Sequence, residues 1–141
     1  MSTYASNTGV TLDVISFKQK REVLKFSYKF SRAVDIEGQI AGVPRGGVID
    51  LTVKARNDGN VELLHWMLEP FLPKSGTIVF RRRDDTDAIM KTIEFIDAHC
   101  IEYEEKWEEA KDSNNSTHTE QIKLSCRVIN CDAAVYAFTW V

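Results

Sequence analysis

No stretch of the 141-residue chain stays apolar long enough to span a bilayer as a helix, which excludes a helical anchor as its organising feature. The opening "MSTYASNTGVTLDVISF" lacks both a basic n-region and a sustained apolar h-region. No signal peptide for general secretion is therefore expected, and any export would use machinery that does not read one. Cysteine is scarce: Cys100, Cys126 and Cys131 are odd in number and form no CxxC pair, which argues against a disulfide framework and suits reduced thiols. Neither sign of charge dominates. With 18 Lys and Arg against 21 Asp and Glu the net charge is −3, which argues against broad nucleic-acid binding, an affinity that comes mainly from phosphate neutralisation. No Gly-Lys-Ser/Thr follows the glycines of "VPRGG", so that segment is not a nucleotide-phosphate loop. There is no internal repeat. The length fits one domain, residues 1–141, of which 1–9 reads as a flexible lead.

What is present is alternation. In "EVLKFSYKFSRAV" Leu24, Phe26, Tyr28 and Phe30 fall on one face, opposite Val23, Lys25, Ser27, Lys29 and Ser31, which predicts a half-buried strand over 23–33. "VIDLTVKAR" repeats the pattern over 48–56, with Asp50, Thr52, Lys54 and Arg56 on its polar face. About a dozen residues separate the two, far more than a hairpin needs, and they mix glycines with Ile36, Ile40 and Val43, apolar side chains that gain little by remaining in water. The period changes in "NDGNVELLHWMLEPF": Val61, Leu64 and Leu68 share a helical face, Asp58 or Asn60 caps the first amides, and Pro70 ends a helix of about three turns. "KSGTIVFRRR" predicts another strand, with a turn around Asp84 to Asp87. Two long strands follow, with Ile93, Phe95, Ile101, Tyr103 and Trp107 on odd positions of one and Ile122, Leu124, Cys126 and Val128 on even positions of the other. This register puts Cys100 and Cys126 on opposite faces, so they should not bond. The second strand presents Gln121, Lys123, Ser125 and Arg127 on its polar side, the hydrophilic "EEAKDSNNSTH" forms the hairpin tip, and "AVYAFTWV" closes the chain. The expected fold is mainly β: a small barrel of two packed antiparallel sheets with one short flanking helix.

Candidate chemistry does not assemble. His99 beside Cys100 suggests a thiol nucleophile, but adjacent residues of a regular strand point to opposite faces, and a packed cysteine is the better reading. Cys126 and Cys131 lack zinc spacing. The acids from Glu102 to Asp112 lack the order of a calcium loop and are interrupted by Lys106 and Lys111, as on a solvated hairpin. Arg81, Arg82 and Arg83 are answered at once by Asp84, Asp85 and Asp87, a pattern of local ion pairing. Trp66, Trp107 and Trp140 read as core or interface anchors. No catalytic, metal or cofactor site is expected.

The runs "VLKFSYKFSRAVDIEGQIAGVPRGGVIDLTV", "LLHWMLEPF", "SGTIVFRRRD" and the closing "WV" resemble the tube protein of the type VI secretion system, the TssD/Hcp family, and most of all its Bacteroidetes branch. The resemblance implies a structural subunit and not an enzyme. It implies six-membered rings that stack into a tube, propelled outward by sheath contraction and carrying effectors in the lumen. The implied partners are further copies of the chain, the sheath, spike and baseplate proteins, and effector cargo, with no nucleic acid, membrane insertion or cofactor. The implied locations are the bacterial cytoplasm during assembly and, after secretion, the extracellular space or target cell. For the segment Asp35, Ile36, Glu37, Gly38, Gln39, Ile40, Ala41, Gly42, Val43, Pro44, Arg45, Gly46 and Gly47 it implies a ring-stacking loop that a neighbour covers. The expected lumen set combines it with the polar rows: Lys25, Ser27, Lys29, Ser31, Asp50, Thr52, Lys54, Arg56, Gln121, Lys123, Ser125 and Arg127. Two alternatives share parts of this pattern: a monomeric small-barrel carrier of an apolar ligand, and the tail tube of a phage or other contractile injection particle.

Overall fold

Apolar alternation along every long segment leaves the chain one way to dry its faces, which is to roll a sheet on itself. The computed structural model describes residues 8–56, 58–69, 71–82, 88–109 and 116–137. Its strands are β1 (Val10–Val14), β2 (Arg21–Tyr28), β3 (Ser31–Val34), β4 (Ile40–Arg45), β5 (Val48–Lys54), β6 (Lys74–Arg81), β7 (Ile89–Glu109), β8 (Ser116–Cys131) and β9 (Ala134–Ala137), with one helix, α1 (Glu62–Leu68), between β5 and β6. The main sheet runs β5-β2-β1-β6-β7-β8-β9, and a further β5–β8 pairing closes its first six strands into a barrel. Every pairing is antiparallel. The expected mainly β barrel with one flanking helix is what the chain forms.

The interior is filled by side chains. Leu12, Val14, Ile49, Leu51, Val53, Ile78, Ile93, Phe95, Ile122 and Leu124 are all buried, in one cluster to which α1 adds Leu63 and Trp66. Trp66 stacks on Phe95 at 6.4 Å and meets Phe17 edge-on at 6.0 Å, and its indole N–H donates to the Leu72 carbonyl at 3.1 Å. At Gly76 an added Cβ would stand 2.4 Å from the Asp13 carbonyl oxygen, so the close approach of β1 to β6 requires glycine there.

Several expectations need correction. Predicted as one strand over 23–33, the first segment ends at Tyr28 and restarts as β3, because residues 31–34 pair with the 40–45 segment in a separate two-stranded sheet. The long connection is therefore a β-hairpin of its own. A register shift between Val23 and Lys25 buries Val23 and turns Leu24 outward at 41% exposure, the reverse of the alternation expected. In β7 the odd positions are buried only through Phe95. Beyond Asp97, whose φ is 51°, burial passes to Ala98 and Cys100, and a second shift between Cys100 and Glu102 leaves Ile101 49% exposed. Cys100 and Cys126 thus lie on the same buried side, as free cysteines, and not on opposite faces. On α1 the expected Val61–Leu64–Leu68 face looks away from the barrel: Val61 and Leu68 are 61% and 69% exposed, whereas Leu63 and Trp66 are buried. The N-cap position is Val61, without a side-chain cap; Asn60, one residue earlier, accepts from the Glu62 amide through Oδ1 at 2.9 Å, while Asp58 Oδ1 accepts from the Asn60 amide at 3.1 Å. Pro70, the turn at Asp84–Asp87, the hairpin tip and Trp140 lie outside the described residues.

Candidate functional site

Two surfaces stand out: a broad polar sheet face and the protruding β3–β4 hairpin. On the sheet face the register aligns Lys25 with Thr52 and Ser27 with Asp50, then Asp50 with Lys123 and Thr52 with Gln121, and finally Lys123 with Glu102 and Gln121 with Glu104. The result is a continuous wetted wall across β2, β5, β8 and β7, whose other side carries Phe26, Leu51, Ile122 and Tyr103 toward the core. Several of its polar groups bond to one another, two of these contacts being ion pairs. Gln121 Nε2 donates to Asp50 Oδ1 at 3.0 Å, Arg127 Nε to Asp97 Oδ2 at 2.8 Å, and Lys123 Nζ lies 3.7 Å from Glu102 Oε2. Of the polar residues expected in one row, three stand apart. Lys29 and Ser31 lie past the end of β2, with Ser31 opposite Arg45 in the hairpin, while Arg56 lies beyond β5 and pairs with Asp58 at 2.8 Å. Lys25, Ser27, Asp50, Thr52, Lys54, Gln121, Lys123, Ser125 and Arg127 come together. The two register shifts add the exposed Leu24 and Ile101 to the surface, a feature that simple alternation hides.

The hairpin is fixed at both ends. At its turn, the Asp35 carboxylate accepts from the Glu37 and Gln39 amides, both at 2.9 Å, the Asp35 amide donates to the Gln39 carbonyl, and Gly38 adopts φ 84°. This turn holds Ile36 wholly in solvent, at 101% exposure. At its base, Phe30 packs on Tyr136 with 5.1 Å between ring centroids, and Tyr136 Oη donates to the Gly46 carbonyl at 3.3 Å. A Cβ at Gly46 would stand 2.5 Å from the Phe30 ring and one at Gly47, φ 86°, 2.7 Å from Tyr136. The two glycines let the hairpin strand lie directly on these rings. Phe30, Tyr28, Phe26 and Phe80 continue as a chain of ring contacts at 5.2–5.3 Å down into the barrel.

Sequence reasoning missed a buried polar cluster beneath the wall. Arg21 pairs with Glu120, both side chains almost wholly buried; Tyr103 Oη donates to the other Glu120 oxygen at 2.6 Å, and Arg21 Nη2 also donates to the Lys54 carbonyl at 3.2 Å. The group ties β2, β5, β7 and β8 together. Burial, reinforced by the Glu120 carboxylate, holds the Tyr103 hydroxyl well above the usual phenol range. One sign was present in the sequence: Glu120 shares the even parity of Ile122, Leu124 and Cys126.

Among the described residues, Cys100 and His99 are not arranged as a thiol–imidazole pair. Cys100 is buried with its Sγ 3.4 Å from the Glu102 carbonyl, burial pushes its thiol up to about 11, and His99 sits opposite Ser125 on the wetted side. Among the described residues no group of three or more His, Cys, Asp or Glu is placed to hold a metal ion.

The family model for hemolysin coregulated protein Hcp (TssD) matches residues 6–141. Among solved structures, Hcp1 from Flavobacterium johnsoniae is similar with a TM-score of 0.76 at 30% identity, over 91% of this chain and 98% of that one. The secreted protein Hcp3 from Pseudomonas aeruginosa shares the fold at 12% identity and TM-score 0.59, over 93% of this chain and 98% of that one. A chain of the anti-feeding prophage baseplate does so at 13% identity and TM-score 0.55, over 93% and 97%. No curated protein matches the sequence. With the family matched across nearly the whole chain and its barrel reproduced, the chain belongs to the Hcp (TssD) family and is a type VI secretion tube protein.

Proposed function

We propose that six copies of this chain close into a ring whose bore is lined by the β2-β5-β8-β7 wall, and that rings stack end to end into the tube that sheath contraction drives outward. The observation that carries this reading is the two-sided sheet. One side is dry and packed; the other is broad and hydrophilic, with small residues such as Ser27 and Ser125 among its members. A channel wall that effectors must pass needs such a surface. The barrel interior, filled by large side chains, offers a carrier's apolar ligand no comparable place, which favours the tube reading over the carrier. On this reading the protein works without catalysis or cofactor, and its partners are its own copies, the sheath, spike and baseplate proteins and effector cargo. It assembles in the bacterial cytoplasm and leaves with the tube.

Cysteine accessibility tests the bore. In assembled protein, Ser27→Cys is expected to react with a bulky maleimide at least tenfold more slowly than Glu69→Cys at the C-terminal end of α1, with the parent chain's own thiols subtracted. On dissociation the two rates should converge. Equal rates in the assembled state would place the wall outside. The hairpin gives an independent prediction. Replacing residues 31–45 by a tight turn should change barrel stability by only about 1 kcal/mol, because closure entropy varies slowly with length. Ring stacking, read by sedimentation velocity, should be lost, and normal stacks from the shortened chain would remove the hairpin from the account.

A further inference from the structure

The exposed Ile36 turn has a matching receptor at the other end of the same barrel. Next to α1 lies a cleft of about 270 Å³ lined by Ser16, Phe17, Val61, Glu62, His65 and Lys74. Its apolar lining is Phe17 and the largely exposed Val61. Lys74 stands at its rim, its Nζ donating to Ser16 Oγ at 2.7 Å and lying 5.9 Å above the Phe17 ring, while Lys18 and Lys20 are exposed nearby in sequence. The one lining carboxylate, Glu62, is already occupied: Oε2 accepts from the Lys18 amide at 3.2 Å and Oε1 from Asn60 Nδ2 at 2.8 Å. The hairpin turn has the complementary character, an isoleucine knob between two exposed acids, Asp35 and Glu37.

Placement matters as much as chemistry. Lys74 begins β6, whereas Phe80, near the end of that strand, leads through Phe26 and Tyr28 to Phe30 under the hairpin base. Eight strand residues span roughly 25 Å, so knob and cleft stand at opposite ends of the barrel. Different surfaces at opposite ends make a head-to-tail contact, which propagates without closing on itself.

We propose that the Ile36 turn of one copy seats in the Phe17–Val61–Lys74 cleft of a copy in the next ring, with Ile36 on the apolar lining and Glu37 facing Lys74. This rests on the stacking reading above and adds the receptor for the hairpin. The preformed turn loses little freedom on docking, which favours the contact.

The test is oxidative cross-linking of the full chain carrying Ile36→Cys together with Val61→Cys, run beside the parent, each single variant and the pair Ile36→Cys with Ile101→Cys. The expected result is a ladder of covalent multimers beyond the dimer, at least tenfold stronger than from any control. Glu37→Lys should reduce stacking at least tenfold, and adding Lys74→Glu should restore it. Stacked rings in micrographs without the ladder, or without rescue by the double reversal, would mean that the turn docks elsewhere, leaving the stacking reading intact. Rings of the unaltered protein that never stack would overturn the stacking reading and this contact with it.

Discussion

Glu120→Ala is expected to destabilise the barrel by about 3–5 kcal/mol, because it strands the buried Arg21 guanidinium without its counter-charge. Two of its nitrogens, Nε and Nη1, have no hydrogen-bond partner among the described residues, so the bonds to Glu120 and to the Lys54 carbonyl are what make its burial tolerable. The loss should appear as a fall in melting temperature of roughly 10–15 °C for a chain of this length, measured at concentrations too low for assembly. The same account predicts an asymmetry. Replacing the whole cluster, Arg21→Met with Glu120→Leu and Tyr103→Phe, should recover most or all of that stability, since the cost of removing two charges from water goes with them. A Glu120→Ala protein within 1 kcal/mol of its parent, or a triple variant as weak as the single one, would contradict this view of the cluster.

Stability should also fall steeply above pH 9. Burial pushes the Cys126 thiol up to about 12 and Cys100 up to about 11, against about 8.5 for a thiol in the unfolded chain. Below the unfolded value both states keep their protons and these thiols contribute no pH dependence. Above it the unfolded chain releases protons that the native barrel retains, so the unfolded state gains. The slope is about 3 kcal/mol per pH unit for the two thiols together, continuing until the folded values are reached. Denaturant midpoints at pH 8, 9 and 10 should therefore drop progressively, and Cys100→Ala with Cys126→Ala should flatten the profile while lowering its plateau. Midpoints that stay level from pH 8 to 10 in the parent would show that the thiols ionise freely in the native state.

How much of this was legible in the residues depends on which rule governed each element. β5 and β6 follow plain alternation, and so does β8 through Cys126, beyond which Ile129 is buried in place of the expected Val128. β2 and β7 do not, because closing a small barrel bends its strands, and the bends are absorbed by extra residues at Leu24, Asp97 and Ile101 that reverse the parity beyond them. Nothing local marks those positions. The α1 face was misassigned for a different reason: the segment is apolar on both sides, so periodicity fixes a helix but not which stripe meets the barrel. The exposed Val61 beside the cleft is the consequence. For the candidate site, the polar wall was visible as alternation, and the segment from Asp35 to Gly47 was visible as too long for a loop. Its pairing into β3 and β4 was not, because only the Asp35 turn and the packing of Gly46 and Gly47 on Phe30 and Tyr136 create it. Arg21 and Glu120, ninety-nine positions apart, meet only when β5 closes on β8.

The most direct test of the central claim is a three-dimensional reconstruction of the assembled protein by electron cryomicroscopy. The account predicts six-membered rings stacked end to end, with Ser27, Asp50, Thr52 and Lys123 on the bore and α1 away from it. Rings with that wall on the outer surface, or a protein that remains monomeric at every concentration, would contradict it.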